Sequence, residues 1–448
     1  MANNAVFDAR SLGAPKMAVL GLQHLFAMFG ATVLVPMITG LSMSATLLFA
    51  GLGTLIFHFL TKLKVPAFLG SSFAFIGGYA GVVQIASEAP YGLTMSQALP
   101  YACIGVFCAG LMYFVLAALF AVFGTRRVMR FFPPIVTGPV IIAIGLTLSG
   151  SAINSCTDNW WIALAAILII IVCNIWGRGM IKIIPILMGV IGSYILACCL
   201  GKVDFSSVRD AAWIGLPFKM QDTAIAVFKS PNWSLILTAI ITILPISLAT
   251  MVEHIGDMCA ISSTTGRDYL SDPGLHRTLM GDGLATALAS AFGAPANTTY
   301  GENTGVLALS KIYDPLVIRI AAVLAIILSF SPKFEAVINT IPTGIIGGIS
   351  FVLYGMISAI GVRNVVENRV DFTNSRNLIV AAVILVCALG FNSVGGVSFA
   401  VAGVTINLSG LAVAAIAGIL LNAILPGNDY EFDAAAGSDA ATSGNLQV

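Results

Sequence analysis

The sequence predicts an all-α polytopic membrane protein with fourteen transmembrane segments in two inverted seven-segment repeats. Three observations carry this: a scarcity of charge, long continuous apolar runs, and paired interruptions at matching places in the two halves. Of 448 residues, 58% are hydrophobic and 9% charged, against roughly 25% charged in an ordinary soluble domain. The mean hydropathy is +0.97. A soluble chain of this size could not cover its surface with so few charges. This excludes a soluble enzyme, a nucleic-acid binder and a disordered regulator. The net charge of +1 points to no polyionic partner. An outer-membrane barrel would show short alternating segments instead of these long runs.

A spanning helix needs about 20 mostly apolar residues. Spans are predicted near 15–36, 44–61, 72–86, 98–123, 133–152, 160–176, 182–200, 233–262, 275–293, 302–312, 315–331, 342–361, 376–391 and 406–425. The first run lacks a small-residue cleavage site and reads as a span, not a signal peptide. The runs at 72–86 and 302–312 are too short to cross alone, and each follows a polar, Pro-containing, extended stretch (66–73 and 295–302). With the N-terminus in the cytoplasm, 16 of the 21 basic residues fall on that side. Lys202, Arg209, Lys219, Lys229 and Lys333 fall outside, four of them in the long loop at 202–232. This positive-inside bias puts both termini in the cytoplasm of a multi-pass inner-membrane protein. Trp160, Trp161 and Trp176 bracket the sixth span like an aromatic belt. The eight cysteines form no C-x-x-C pair and read as small packing residues. Residues 427–448 form a polar, mildly acidic tail expected to be disordered.

The long loop divides the spans seven and seven. Pro66 and Pro295 stand 229 residues apart, and the same offset relates His24 to Glu253 and Phe73 to Glu302. Pro134 and Pro342 open similar Gly-rich helices. An odd number of spans per half inverts the second copy. Paired interrupted helices in inverted halves are the best sequence pointer to a transporter binding site.

Ionisable residues inside spans are costly and need a compensating role. Glu253 and Asp257 are four residues apart in span eight and so share one helix face. Two acids so close do not both ionise readily, which is the property a proton carrier needs. Asp257 is either the second member of that pair or a solvated acid near the cytoplasmic mouth. His254 points off the face and reads as a structural hydrogen-bonder. His24 is either a satisfied core residue or a partner for its repeat equivalent, Glu253; Gln23 is its supporting neighbour. Glu302 opens the second short helix, where unpaired N–H groups are available, and is followed by Asn303. Ser72 and Phe73 open the first short helix. Phe73 and Tyr300 offer flat surfaces, and Gly301 offers backbone. A planar heterocycle with N–H donors and C=O acceptors fits such a site. Asp282, between glycines in span nine, reads as a direct or supporting hydrogen-bonder. His58 and His276 read as structural.

The chain has no H-E-x-x-H, P-loop, G-x-S-x-G or Cys/His metal cluster. That leaves a secondary transporter driven by an ion gradient, with no metal and no cofactor beyond a proton gradient.

At these residues the chain resembles the nucleobase–ascorbate transporter family over roughly 15–425. The span-one pair stands as Gln23-His24, and the signature of an acid or Gln followed by Asn-x-Gly-x4-Ser/Thr-basic stands as Glu302-Asn303-Thr304-Gly305 through Ser310-Lys311. Glu253 matches the family's span-eight glutamate, and Asp282 matches a position that is Asp or Asn in relatives. Residues 69–75 and 297–303 look like the uracil-type members. At 257 this chain has Asp where one uracil-type pattern has His. The resemblance implies a core domain (1–124 and 233–331) and a gate domain (125–201 and 332–426), with short strands in segments 3 and 10 crossing at the site. It further implies a homodimer, an elevator-like motion and proton symport of uracil. Glu253, Glu302, Ser72, Phe73, Gly301 and Tyr300 would then bind the base; Glu253, Asp257 and His24 would couple the proton; Gln23, Asn303 and Asp282 would support them. The alternatives are a purine-base symporter of the same family and, more remotely, an anion exchanger or channel on the same seven-plus-seven plan.

Overall fold

The computed structural model describes residues 5–88, 90–401 and 404–427; within these, the side chains of residues 183, 302, 399–401 and 404–407 lie outside the described set. The expected tail, apart from Gly427, lies outside it too. A helix stands at each of the fourteen apolar stretches. They are α1 (Ala14–Thr39), α2 (Met43–Leu60), α3 (Ile76–Ser87), α4 (Met95–Phe123), α5 (Pro134–Cys156), α6 (Trp160–Ile175) and α7 (Pro185–Cys199). The second half has α8 (Trp233–Thr265), α9 (Leu275–Ala291), α10 (Gly301–Ser310), α11 (Pro315–Ser329), α12 (Thr343–Glu367), α13 (Ser375–Ser393) and α14 (Gly410–Ile424). Their starts follow local chemistry. Proline occupies the first turn of α1, α5, α7 and α11, where its missing N–H is not needed. Side chains of Ser42, Asn159, Asn232, Asn374 and Ser409 cap α2, α6, α8, α13 and α14.

Among the described residues, seven helices are long and apolar enough to cross a bilayer unaided: α1, α2, α4, α5, α8, α12 and α13. The chain is a multi-pass membrane protein. Three details depart from the expected spans. The run expected at 315–331 ends at Ser329, where a second helix, Pro332–Asn339, turns away at 87° behind the Ser331 cap. The run expected to begin at 406 starts instead in an antiparallel hairpin, Val397–Val401 with Val404–Leu408, and α14 begins only after Ser409. Alternating β-branched and polar residues in Val404-Thr405-Ile406-Asn407 favour the strand. Within α8 the helical pattern breaks at Leu244–Pro245, where the proline has no N–H to donate.

Helix packing displays the internal repeat directly. α4 lies along α9 as α11 lies along α2; α6 packs on α7 as α13 packs on α14; α12 packs on α6 as α5 packs on α13; α1 packs on α11 as α8 packs on α4. Moving each helix to its counterpart seven places along converts one partner pair into the other. The extensive α5–α12 and α2–α9 contacts each map onto themselves.

At the centre, the two extended stretches cross. β1 (Leu69–Ser71) pairs antiparallel with β2 (Asn297–Thr299), in the register Leu69–Thr299, Gly70–Thr298 and Ser71–Asn297. Tyr300 N donates to Phe68 O (3.0 Å) and Ser72 N to Ala296 O (2.8 Å), extending the ladder at both ends. The 229-residue offset turns the pair Leu69–Thr299 into Thr298–Gly70, which is itself a pair, so the pseudo-twofold axis passes through this ladder. Ser71 and Tyr300, equivalent by the same offset, touch: the Tyr300 hydroxyl donates to Ser71 O at 2.9 Å. Surrounding helices complete the accounting. Leu69 N donates to Thr54 Oγ1 (2.9 Å), Thr286 Oγ1 to Asn297 O (2.8 Å), Asn297 Nδ2 to Phe49 O (2.9 Å) and Ala296 N to the Tyr79 hydroxyl (3.2 Å). Unwound backbone is tolerated at membrane depth only when satisfied in this way.

Gly70 has no room for a side chain: a Cβ there would lie 2.5 Å from the Tyr300 ring and 2.7 Å from Thr32 Oγ1. Gly70→Ala should therefore destabilise the detergent-solubilised protein by about 1–3 kcal/mol. Gly77→Ala, which meets nothing within 4 Å, should be neutral or stabilising by up to about 1 kcal/mol. Thermal unfolding of the two variants measures the difference.

Candidate functional site

The strand crossing delivers two short helices whose first turns lack side-chain caps, α3 after Phe73 and α10 at Gly301. α8 runs past α10 and brings Asp257 to the tip of β2. Asp257 Oδ2 accepts a hydrogen bond from Thr299 Oγ1 at 2.7 Å. A Cβ on Gly301 would lie 3.8 Å from Asp257 Oδ1 and 3.4 Å from Ile360 Cδ1 of α12. Asp257 is 7% exposed, so it is a buried acid and not a solvated one. Glu253, one turn earlier on the same face, is half-buried. Glu302 occupies the second position of α10, directly after Gly301; its side chain lies outside the described residues.

His24 and Asn303 meet. Asn303 Nδ2 lies 3.2 Å from His24 Nδ1 and also donates to His24 O at 3.3 Å, which ties α1 to α10. With Nδ1 accepting, the neutral ring carries its proton on Nε2. Gln23 is buried beside it. Gln23 Nε2, Ser72 Oγ, Asn303 Oδ1 and Thr304 Oγ1 are buried without a hydrogen-bond partner among the described residues. These four atoms belong to the segments that frame the crossing. Buried polar atoms are normally paired, and those left over want an explanation such as a ligand or water.

Phe73 is buried, with its ring edge-on to Tyr354 of α12 (centroids 5.7 Å apart). The Tyr300 ring lies over Gly70, with its hydroxyl on Ser71; this placement holds the ring in the crossing. Asp282 and His254, which the sequence suggests as separate supporting groups, are partners: His254 Nδ1 lies 2.8 Å from Asp282 Oδ2, both side chains fully buried, with the Phe57 ring edge-on to the imidazole. Sequence reasoning assigned no role to Thr299, Tyr354 or Ile360. The first carries no charge to mark it, and the other two are ordinary residues of a Gly-rich helix that only the fold brings to the site. Among the described residues no group of three His, Cys, Asp or Glu side chains could hold a metal ion.

Two inverted halves whose broken helices cross beside buried acids define a membrane permease. A model described as a permease family, the xanthine/uracil permeases, matches residues 15–395. The chain belongs to this nucleobase–ascorbate transporter family. It is 41% identical over 420 residues to the uracil permease of Bacillus caldolyticus, covering 91% of each chain. It is 40% identical over 418 residues to the putative pyrimidine permease RutG of Escherichia coli, covering 91% of this chain and 89% of that one. Among solved structures it shares its fold with the transmembrane domain of the cyanobacterial bicarbonate transporter BicA (TM-score 0.62, 15% identity, 85% of this chain and 96% of that one). It also shares its fold with SLC26A9 (TM-score 0.64, 12% identity, 93% of this chain and 66% of that one).

Removing one member of a buried polar pair leaves the other unsatisfied and costs about 1–3 kcal/mol. His254→Leu should lower stability by that order, and adding Asp282→Asn should recover most of the loss. Unfolding of the two single variants and the double variant in detergent gives the coupling.

Proposed function

We propose that the chain takes up uracil across the cytoplasmic membrane by proton symport. The observation that carries this reading is the pair of carboxylates on one face of α8, with Asp257 held by Thr299 beside the tip of α10. Uracil presents ring N–H donors and two carbonyl acceptors in one plane. Glu253 and Glu302 accept from the N–H groups, the uncapped first turns of α3 and α10 donate to the carbonyls, and Phe73 with Gly301 bounds the ring. Gln23, Ser72 and Asn303 supply the remaining polar contacts. A proton on Glu253, stabilised by the neighbouring acid Asp257, removes one charge from the site before it moves. His24 holds α10 in register through Asn303, Tyr300 keeps the crossing closed, and the Asp282–His254 pair fixes α8 against α9.

Fourteen crossings with both termini in the cytoplasm accord with the distribution of basic residues. The strongest packing lies within two groups of helices, α1–α4 with α8–α11 and α5–α7 with α12–α14, which we assign as core and gate. Tyr354 and Ile360 of the gate helix α12 face Phe73 and Gly301 of the core, so sliding the core against the gate would open the site to either side in turn. Homodimerisation through the gate fits this scheme. The names of the relatives favour a pyrimidine over a purine as cargo. An anion exchanger is the less favoured reading, because the acids at 253, 257 and 302 would repel the cargo.

In proteoliposomes, Glu253→Gln should abolish uracil accumulation driven by a pH gradient. Glu302→Gln removes a charged acceptor worth about 1.5–3 kcal/mol and should weaken uracil binding about 10–100-fold. A thermal-shift panel on purified protein reads binding: uracil should stabilise it more than xanthine or hypoxanthine. Concentrative uptake by both variants, or a larger shift with xanthine, would overturn the reading.

A further inference from the structure

An apolar groove of about 270 Å³ runs between α4, α8 and α14. Leu116 and Leu119 of α4, Met251 of α8, and Ile416 and Leu420 of α14 line it, and Phe132 closes one end. Leu119 and Leu420 are 41% and 52% exposed, so the groove opens on the flank of the molecule. In a membrane protein, that flank faces acyl chains.

The Phe132 end carries positive charge. α4 stops at Phe123, and the linker to α5 passes Arg126, Arg127 and Arg130 before reaching Phe132. α14 fixes this linker in place: Asn422, two residues beyond Leu420, donates Nδ2 to Arg130 O at 3.0 Å. Asn422 in turn receives Arg376 Nη2 on its own carbonyl (2.7 Å) and on Oδ1 (2.9 Å). The side chains of Arg127 and Arg130 are exposed. Neither residues 89–157 nor residues 372–428 contain an Asp or Glu; the linker also packs on Leu270–Gly274, whose Asp272 is paired with Lys64. A slot for hydrocarbon that ends at a cationic rim is complementary to one class of molecule.

We propose that the α4–α8–α14 groove is a binding site for an anionic phospholipid, with one acyl chain along the apolar walls and the headgroup phosphate on Arg127 and Arg130. Charge complementarity selects this occupant over a zwitterionic lipid. Two arginines near a headgroup favour the anionic lipid about thirtyfold. Because α4 and α8 belong to one packing group and α14 to the other, the bound lipid spans both.

Native mass spectrometry of the full chain, offered equimolar phosphatidylglycerol and phosphatidylcholine, tests the proposal without reference to uracil. The wild type should retain phosphatidylglycerol at least tenfold over phosphatidylcholine. The double variant Arg127→Gln/Arg130→Gln should lose that preference while unfolding at the wild-type temperature in lipid-free detergent. Ile416→Trp, which fills the groove, should lose both lipids while unfolding at the wild-type temperature in lipid-free detergent. Equal retention of the two lipids by the wild type overturns the proposal. So does a phosphatidylglycerol preference that survives in the double variant, or lipid retention undiminished by Ile416→Trp.

Discussion

A polypeptide that unwinds inside a hydrocarbon layer must still satisfy its backbone, and this fold meets that demand by pairing its two unwound stretches with each other. Leu69–Ser71 and Asn297–Thr299 each supply the hydrogen-bond partners the other lacks, and the ladder runs on to Phe68–Tyr300 and Ser72–Ala296. Neither stretch could persist alone. Their antiparallel pairing follows from the inverted repeat, because a pseudo-twofold axis through the ladder makes the two strands equivalent. The hydroxyls and amides of Thr54, Tyr79, Thr286 and Asn297 serve the same purpose around its edges.

The crossing also explains where chemistry can occur. It ends two helices in the interior, so uncapped first turns and polar side chains stand in a region that would otherwise be apolar. α8 passes close to the tip of β2, where Thr299 Oγ1 donates to Asp257. The buried His254–Asp282 pair links α8 to α9. A buried polar contact of this kind adds only modest net stability, because both groups give up water to make it. Its effect is to fix how α8 is rotated, and with that the direction in which Glu253 and Asp257 point.

Tyr354 and Ile360 bring α12, a helix of the second packing group, up to Phe73 and Gly301. The Tyr354 ring meets Phe73 edge-on, and it is the Ile360 side chain that approaches Gly301. The groove between α4, α8 and α14 lies on a second boundary between the same two groups and is apolar.

Much of this was legible in the amino-acid sequence, for physical reasons. Low charge and long apolar runs place the chain in a bilayer, because water would not tolerate them. Pro66 and Pro295 at a fixed offset mark the repeat and the breaks in its helices, because proline cannot donate to a helical ladder. Glu253, Asp257 and Glu302 stand out because an acid in a span is costly. What the sequence could not supply were partners between distant segments. Nothing local ties Asn303 to His24, Asp282 to His254 or Thr299 to Asp257. The register of the strand ladder, the bend after Ser329, the hairpin before α14 and the approach of Ile360 to Gly301 were likewise decided only by the tertiary structure. Periodicity and composition record how each segment meets its solvent. Which segment it meets depends on helix rotation and close approach across hundreds of residues, and that is settled by packing in three dimensions.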